Sequence, residues 1–144
     1  MTNSQLLEQG LKVAQNYDVT TKENSAVVYS ISYQKTSKNR DDAIEFIKQN
    51  ADKMLIEHTE CGAKLVELGF ESTNTLNCEE VKTIWAIASR RFINAAKGNI
   101  IAFVNNAHPE SVFISVELPN ILNNSNITTV NNIDKNIFAK QFQK

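Results

Sequence analysis

The spacing of hydrophobic and polar residues changes about midway along the chain. Up to Gly69 the apolar residues recur mainly every three or four positions, which is typical of helices with one buried side. This spacing predicts helices over 1–16, 41–50 and 54–68, with Gly69 as the stop signal of the third. Residues 25–33 alternate well enough to predict a strand, although a loop or a helix start also fits them.

A longer helix is predicted around the single tryptophan of the chain. Asn77 and Glu80 have the spacing of a capping box at its start, and Gly98 is a typical residue at its end. Trp85 and Ser89 are four positions apart, which places them on one side of this helix. An indole beside a hydroxyl suits a flat ligand, but a lone tryptophan at this spacing is more often a core residue.

Short apolar runs after Gly98 predict a small sheet. Residues 100–104 are a continuous apolar run of the kind found in buried strands, and 127–130 are a further short strand candidate. Residues 112–118 alternate and predict a further strand that Pro119 ends. We therefore predict an α+β fold, with a helical N-terminal half and, in the C-terminal half, a small, parallel β-sheet flanked by helices.

Length and composition fit one globular domain. The 144 residues are 42% hydrophobic and 22% charged, which is ordinary for a chain long enough to bury one core. We predict a single domain over 1–144, in which 1–25 are either a peripheral helix or a junction. The 15 basic and 16 acidic residues give a net charge of −1, so no basic excess favours binding to nucleic acid.

The sequence predicts neither a membrane partner nor a disulfide framework. No apolar run is long enough to span a bilayer, and the N-terminus lacks the basic start and apolar stretch of a signal peptide. Cys61 and Cys78 are the only cysteines; we expect free thiols, although one bridge between them also fits. These features favour a soluble protein that acts in a reducing cytoplasm.

One group of polar residues on a predicted strand is a candidate for chemistry. Phe113, Ser115 and Glu117 would share one side of the strand over 112–118, since successive side chains alternate between its two sides. Carboxylates at strand ends are common site residues in sheets flanked by helices. A solvated strand surface explains the same pattern.

The other polar residues are expected to be structural or solvated. Arg90 and Arg91 fit a solvated pair on the outer side of the tryptophan helix. His58 and His108 are isolated, with no second ligand at metal-binding spacing, so no metal site is predicted. The chain also lacks a glycine-rich phosphate loop.

At the candidate residues the chain resembles the ADP-ribosyl cyclase / NAD glycohydrolase family. The first block, 84–96, reads IWAIASRRFINAA and is similar to the family's Trp-x-x-x-Ser-(Arg/Lys)-(Arg/Lys)-Phe-x-x-Ala-Ala helix. The second, 111–120, reads SVFISVELPN and is similar to its Phe-x-x-x-Glu strand. A weaker block, MLIEHT at 54–59 with Gly62, resembles Leu-Glu-Asp-Thr-x-x-Gly. The resemblance covers roughly 54–130.

The resemblance implies a set of site residues. It places the family's catalytic glutamate on Glu117, its active-site tryptophan on Trp85, and the polar contact to ribose or phosphates on Ser89. It also places contacts to the phosphates on Phe113. Glu57 falls on the acidic residue that touches the nicotinamide end and biases hydrolysis against cyclisation. The implied substrate is NAD⁺, with no metal and no other cofactor.

The chain departs from the family pattern at several positions. The family's second, upstream active-site tryptophan is absent; Tyr29 and Tyr33 are the nearest substitutes, and Tyr33 is preferred because Lys35 then keeps a positive charge for a phosphate. His58 replaces an acidic residue and Val112 a threonine, which leaves the balance between cyclase and hydrolase open. The disulfide cysteines of secreted members are also absent.

The resemblance therefore implies an enzyme that cleaves NAD⁺ to nicotinamide and ADP-ribose, with some cyclic ADP-ribose. The small size and few cysteines favour a toxin or effector domain that depletes NAD⁺ in the cytoplasm of a target cell, countered by a cognate inhibitor protein. Two alternatives stay open. One is a non-catalytic module that binds a nucleotide or a protein, and the other is a nuclease-type toxin, which the near-neutral charge does not favour.

Overall fold

The described part of the chain alternates helices with the strands of one small sheet. A computed structural model describes residues 2–30, 38–70, 79–104, 107, 111 and 113–142. Within them the α-helices are α1 (Asn3–Asn16), α2 (Lys38–Gln49), α3 (Glu60–Glu67), α4 (Glu79–Ala95), α5 (Leu118–Asn123) and α6 (Lys135–Ala139). The strands are β1 (Val27–Tyr29), β2 (Gly98–Phe103), β3 (Ile127–Val130) and β4 (Ile133–Asp134). Two 3₁₀ turns, Ile56–His58 and Lys140–Phe142, and a π-helical turn, Phe113–Glu117, complete the elements.

The strands lie in the sheet in their chain order, β1-β2-β3-β4. β1 pairs with β2 in parallel, with Val27 opposite Ile101, and β2 pairs with β3 in parallel. β4 is antiparallel to β3. The predicted fold class, α+β with helices flanking a small sheet, is confirmed, and within this sheet the parallel arrangement extends as far as β3.

Hydrophobic cores lie on both sides of β1 and β2, because successive side chains of a strand point in opposite directions. The larger core holds Val28 and Ile100 with the buried sides of α1, α3, α4, α5 and α6. The smaller core holds Val27 beneath α2, with Ile101 packed against it. Since both sides of β2 are covered, its apolar run is continuous, as the sequence predicts.

The helix predicted over 54–68 is wrong in its first part. Ile56–His58 form a 3₁₀ turn, and α3 begins only after Thr59. The reason is a local cap: the Thr59 hydroxyl accepts a hydrogen bond from the backbone N–H of Gly62 at 3.1 Å, which starts a new helix at that point. Gly69 follows the end of α3 with φ of 95° and is the stop that was predicted.

The end of α4 is closed by a side chain rather than by Gly98. α4 ends at Ala95, and Gly98, with φ of 80°, begins β2 instead. The Asn124 side-chain amide donates to carbonyl oxygens at the end of α4, those of Ile93 (2.9 Å), Asn94 (3.4 Å) and Ala96 (3.1 Å). The predicted capping residue at the other end, Asn77, lies outside the described residues.

The strand predicted over 112–118 is wrong, because Phe113–Glu117 form a π-helical turn that continues into α5. Helical bonding begins at Ser111, whose carbonyl accepts from the backbone N–H of Ser115 at 2.9 Å. Pro119 therefore does not end a strand; it lies in the first turn of α5, and its fixed φ is compatible with helical backbone.

Arg91 joins α4 to the end of α1. Its Nη1 donates to the carbonyl oxygen of Ala14 at 2.7 Å, and its charge also acts on Asp18 and on the buried thiol of Cys61. Arg90 is exposed. The expectation of a solvated pair therefore fits Arg90 but is wrong for Arg91. Cys61 is a free, buried thiol, and Cys78 lies outside the described residues.

Candidate active site

The candidate site lies beyond the carboxyl end of β1, a common position for ligands in sheets with parallel strands. β1 ends at Tyr29, whose hydroxyl donates a hydrogen bond to Oε2 of Glu57 at 2.9 Å. The next residue, Ser30, is buried; its N–H donates to the carbonyl of Phe103 at 3.1 Å, and its own carbonyl accepts from the Asn39 side chain at 2.9 Å. The strand end that carries Tyr29 is thus fixed from both sides.

The 3₁₀ turn that carries Glu57 is held by close local contacts. His58 Nδ1 accepts a hydrogen bond from the backbone N–H of Leu55 at 3.2 Å. Gly62 packs directly against the turn, where a Cβ would meet the carbonyl group of Ile56 and the Cα of Glu57. Gly62, which belongs to the weaker resemblance block, is therefore required because the backbone of the turn lies too close to it for a Cβ. His58 has a structural role beside Glu57.

Glu117 is a buried carboxyl group that has no hydrogen-bond partner among the described residues. It is the last residue of the π-helical turn, which packs against α4 and α5, and it is 6% exposed. No described residue donates a hydrogen bond to its side chain. Burial, the larger cause, and the negative charge of Glu57 together raise the pKa of Glu117 to about 8.

Of the two carboxyl groups, Glu57 is the one that accepts a side-chain hydrogen bond from a described residue and has a positive charge acting on it. Burial raises its pKa, but the hydrogen bond from Tyr29, the positive charge of Arg40, the backbone N–H of Glu57 itself and, when it is protonated, His58 act in the opposite direction. Arg40 reaches the site from α2, and its Nε is buried without a hydrogen-bond partner. The site therefore combines two carboxyl groups in different environments with one guanidinium.

α4 contributes Trp85 and Ser89, which share its buried side as the spacing predicts. Trp85 is 3% exposed, lies in the larger core, and donates from Nε1 to the carbonyl oxygen of Phe70 at 2.7 Å. Ser89 is also buried, and its hydroxyl makes no hydrogen bond with the residues that the structure describes. The core interpretation of Trp85 accounts for these contacts, and its contact with a substrate stays a prediction.

Phe113 uses its ring for packing. The ring lies 5.7 Å from that of Phe142, between centroids, at an interplanar angle of 64°. Phe113 and Glu117 share the buried side of the π-helical turn, whereas Ser115 is exposed. The predicted grouping of Phe113 with Glu117 is thus present, although it arises from helical rather than strand geometry.

Two predicted substrate-binding residues, Tyr33 and Lys35, lie outside the described residues. Tyr29, the alternative substitute for the missing tryptophan, is the tyrosine that the structure places against Glu57. Sequence reasoning missed Arg40 altogether. No motif marks it, and only the position of α2 against β1 brings its charge to Glu57.

Comparison with solved structures identifies the fold. The chain is similar to an ADP-ribosyl cyclase complexed with N1-cIDPR (TM-score 0.58, 16% identity) and to the Aplysia cyclase complexed with the substrate NGD and the product cGDPR (TM-score 0.57, 17% identity). It is also similar to porcine CD38 complexed with a covalent intermediate (TM-score 0.60, 18% identity). The fold is that of the ADP-ribosyl cyclases.

The cyclase fold accounts for most of this chain but only part of its neighbours. The alignments cover 90% of the chain and 63% of each of the two cyclases, and 88% of the chain and 67% of porcine CD38. No family model matches the sequence, and no curated protein matches it. The likeness is therefore one of fold.

The described residues contain no candidate metal site. Among them, no group of three or more histidine, cysteine, aspartate or glutamate side chains is arranged to hold a metal ion. None of the helices in these ranges has the length and apolar character required to cross a bilayer.

Proposed function

We propose that this chain cleaves the nicotinamide–ribose bond of NAD⁺ to give nicotinamide and ADP-ribose, with some cyclic ADP-ribose. One observation carries the proposal. Glu117, on a fold shared with the ADP-ribosyl cyclases, is a buried carboxyl group to which no described residue donates, and the charge of a second, partnered carboxyl group acts on it. Buried polar groups are normally satisfied within a protein, and unsatisfied ones with shifted pKa values concentrate at functional sites.

The chemistry suits a buried carboxylate. When the bond between nicotinamide and ribose breaks, its electron pair leaves with the nicotinamide, which becomes neutral, and positive charge develops on the ribose. An ionised Glu117 stabilises that charge in a site with little water, or bonds to the anomeric carbon as the carboxylates of retaining glycosidases do. Water then attacks the same carbon, releases the Glu117 carboxylate where that bond has formed, and loses a proton to solvent, giving ADP-ribose. Attack by the adenine ring gives the cyclic product.

The remaining predicted site residues have roles that follow from the family resemblance. We assign the stacking contact with the nicotinamide or purine to Trp85, and polar contacts with the ribose and phosphates to Ser89 and Phe113. Tyr33 and Lys35 are assigned to the opposite wall and a phosphate. Glu57 is assigned to the nicotinamide end. The reaction requires no metal and no redox cofactor, because a neutral leaving group departs from a cation without electron transfer.

Purified protein incubated with NAD⁺ tests the proposed function. We expect nicotinamide and ADP-ribose to appear together by chromatography, and Glu117→Gln to lower nicotinamide release by at least about a hundredfold. Ser115→Ala is the matched control, because Ser115 is exposed on the same turn, and we expect it to retain wild-type release. Nucleotide-induced thermal stabilisation without turnover would instead support a non-catalytic binding module.

We further propose that the chain acts as an effector or toxin that depletes NAD⁺ in a cytoplasm and is countered by a cognate inhibitor. The support is compositional: the chain has only two cysteines. Induced expression in bacteria should lower cellular NAD⁺ and stop growth, while Glu117→Gln should do neither. Growth arrest by both proteins, with intact NAD⁺ and degraded RNA, would point to a nuclease-type toxin.

A further inference from the structure

The hydroxyl of Tyr29 links two parts of the chain that are distant in sequence. It donates to Glu57 Oε2 at 2.9 Å, joining the end of β1 to the 3₁₀ turn before α3. The Tyr29 ring packs against the smaller core. The hydroxyl is therefore presented by a fixed ring, and its hydrogen bond favours the ionised form of the carboxyl group that accepts it.

Every described group that acts on Glu57 through charge or hydrogen bonding can be named. Tyr29 from β1, Arg40 from α2, the backbone N–H of Glu57 itself and, when it is protonated, His58 of the 3₁₀ turn favour the carboxylate, while burial opposes it. A hydrogen bond with near-ideal length and an adjacent guanidinium are the stabilising interactions that a carboxylate requires away from water. Glu57 is thus equipped to hold a negative charge.

Glu117 has the opposite environment. It is almost fully buried, no described residue donates to it, and the nearby charge that acts on it is the negative charge of Glu57. α4 and α5 pack against its turn, but neither provides, within the described residues, a charged group that alters its ionisation. Two neighbouring carboxyl groups do not both ionise readily away from water.

We propose that Tyr29 is a positioning residue that keeps the negative charge of this pair on Glu57, so that Glu117 holds the pair's proton in the ligand-free protein. This assignment depends on which groups donate hydrogen bonds to each carboxyl group and not on the reaction that the protein catalyses. Its consequence for catalysis rests on the proposed function: Glu117 must lose that proton before it can stabilise a cationic ribose, and Tyr29 acts on that step through Glu57.

Direct titration of the two carboxyl groups tests the proposal without any substrate. Protein labelled with ¹³C at the glutamate δ-carbon is titrated by NMR, and Glu57→Gln and Glu117→Gln each identify one signal by removing it. In wild type we expect the Glu57 midpoint below that of Glu117. Tyr29→Phe keeps the ring and removes only the hydroxyl; it should raise the Glu57 midpoint by roughly one pH unit and narrow the gap between the two.

Two results would overturn the proposal. One is a Glu117 signal that titrates below that of Glu57 in the wild-type protein. The other is an unchanged gap in Tyr29→Phe, with amide spectra that match the wild type and so show an intact fold. Because both signals belong to an interacting pair, the complete curves are compared rather than single midpoints.

The pH profile of kcat/KM for NAD⁺ gives an independent readout that a purely structural role of Tyr29 would not move. Glu57→Gln removes the neighbouring charge, so the acid limb that reports Glu117 ionisation should move to lower pH. In Tyr29→Phe the acid limb should lie between those of Glu57→Gln and wild type. An acid limb at the same pH in Tyr29→Phe and wild type would contradict the proposal. If wild type releases no nicotinamide, the proposed function fails, whereas the NMR titration still decides the charge assignment.

Discussion

Glu117 illustrates how one residue can oppose the stability of the fold that contains it. Its pKa rises from an ordinary value of about 4.3 to about 8 in the folded protein. Between these values the unfolded chain loses the proton that the folded protein retains, so the folded state binds more protons there. Its contribution to folding stability is therefore fully present below the lower value and is lost as pH rises through the upper one.

Replacing Glu117 by glutamine removes this dependence, because glutamine does not ionise. We expect Glu117→Gln to be progressively more stable than wild type as pH rises from 4.3 to 8, by at most about 5 kcal/mol. Urea denaturation at a series of pH values measures the difference. Ser115→Ala serves as the control and should follow wild type at every pH; a constant offset between Glu117→Gln and wild type would contradict the raised pKa.

At the scale of elements, the sequence predicted an element correctly where one of its sides is buried over many residues. It was misleading where a few local hydrogen bonds determine which element forms. Helical spacing located α1, α2 and α4, and the continuous apolar run at 100–104 located β2. The alternation at 112–118 failed because, within a short turn, Phe113 and Glu117 share the buried side while the residues between them do not. Spacing over so few residues does not distinguish a strand from a helical turn.

The candidate site could be predicted only in part for a related reason. Family resemblance identified Glu117 and Glu57, since their blocks are contiguous in the chain. The contact between Tyr29 and Glu57 and the approach of Arg40 depend on how β1, α2 and the 3₁₀ turn pack together. No spacing along the chain encodes that arrangement, so the different environments of the two carboxyl groups were not foreseen.

The 3₁₀ turn should be sensitive to a single methyl group. In Gly62→Ala the new Cβ would meet the backbone of Ile56 and Glu57, which cannot move as a flexible side chain would. We expect a loss of roughly 2 kcal/mol or more and reduced nicotinamide release per folded molecule, measured by denaturation and by NAD⁺ cleavage.

Gly69→Ala is the matched control for that substitution. Gly69 has φ of 95°, but a Cβ there meets nothing within 4 Å. We expect it to cost about 1–2 kcal/mol through backbone strain while leaving release per folded molecule unchanged. Equal losses of activity in both variants would mean that the turn does not position Glu57.

At the scale of the whole molecule, α1 is held to α4 by Arg91 as well as by apolar packing. The charged donor satisfies a carbonyl in the last turn of α1, where intrahelical partners are missing. We expect Arg91→Ala to lower the free energy of unfolding by about 1.5–3 kcal/mol. Arg90→Ala, at the exposed neighbour, should stay within about 0.5 kcal/mol of wild type. Thermal or urea denaturation of the pair checks both values.

The order of strands in the sheet has a consequence for how the protein is made. β2 cannot pair with β1 until α2, α3 and α4 have been synthesised, since Val27 is opposite Ile101. At about 5–20 residues per second, β1 waits several seconds on the ribosome without that neighbour. Glu57 emerges during this wait and Glu117 only after it. The two carboxyl groups therefore meet late in synthesis, and a nascent chain that stalls before β2 contains Glu57 but not Glu117.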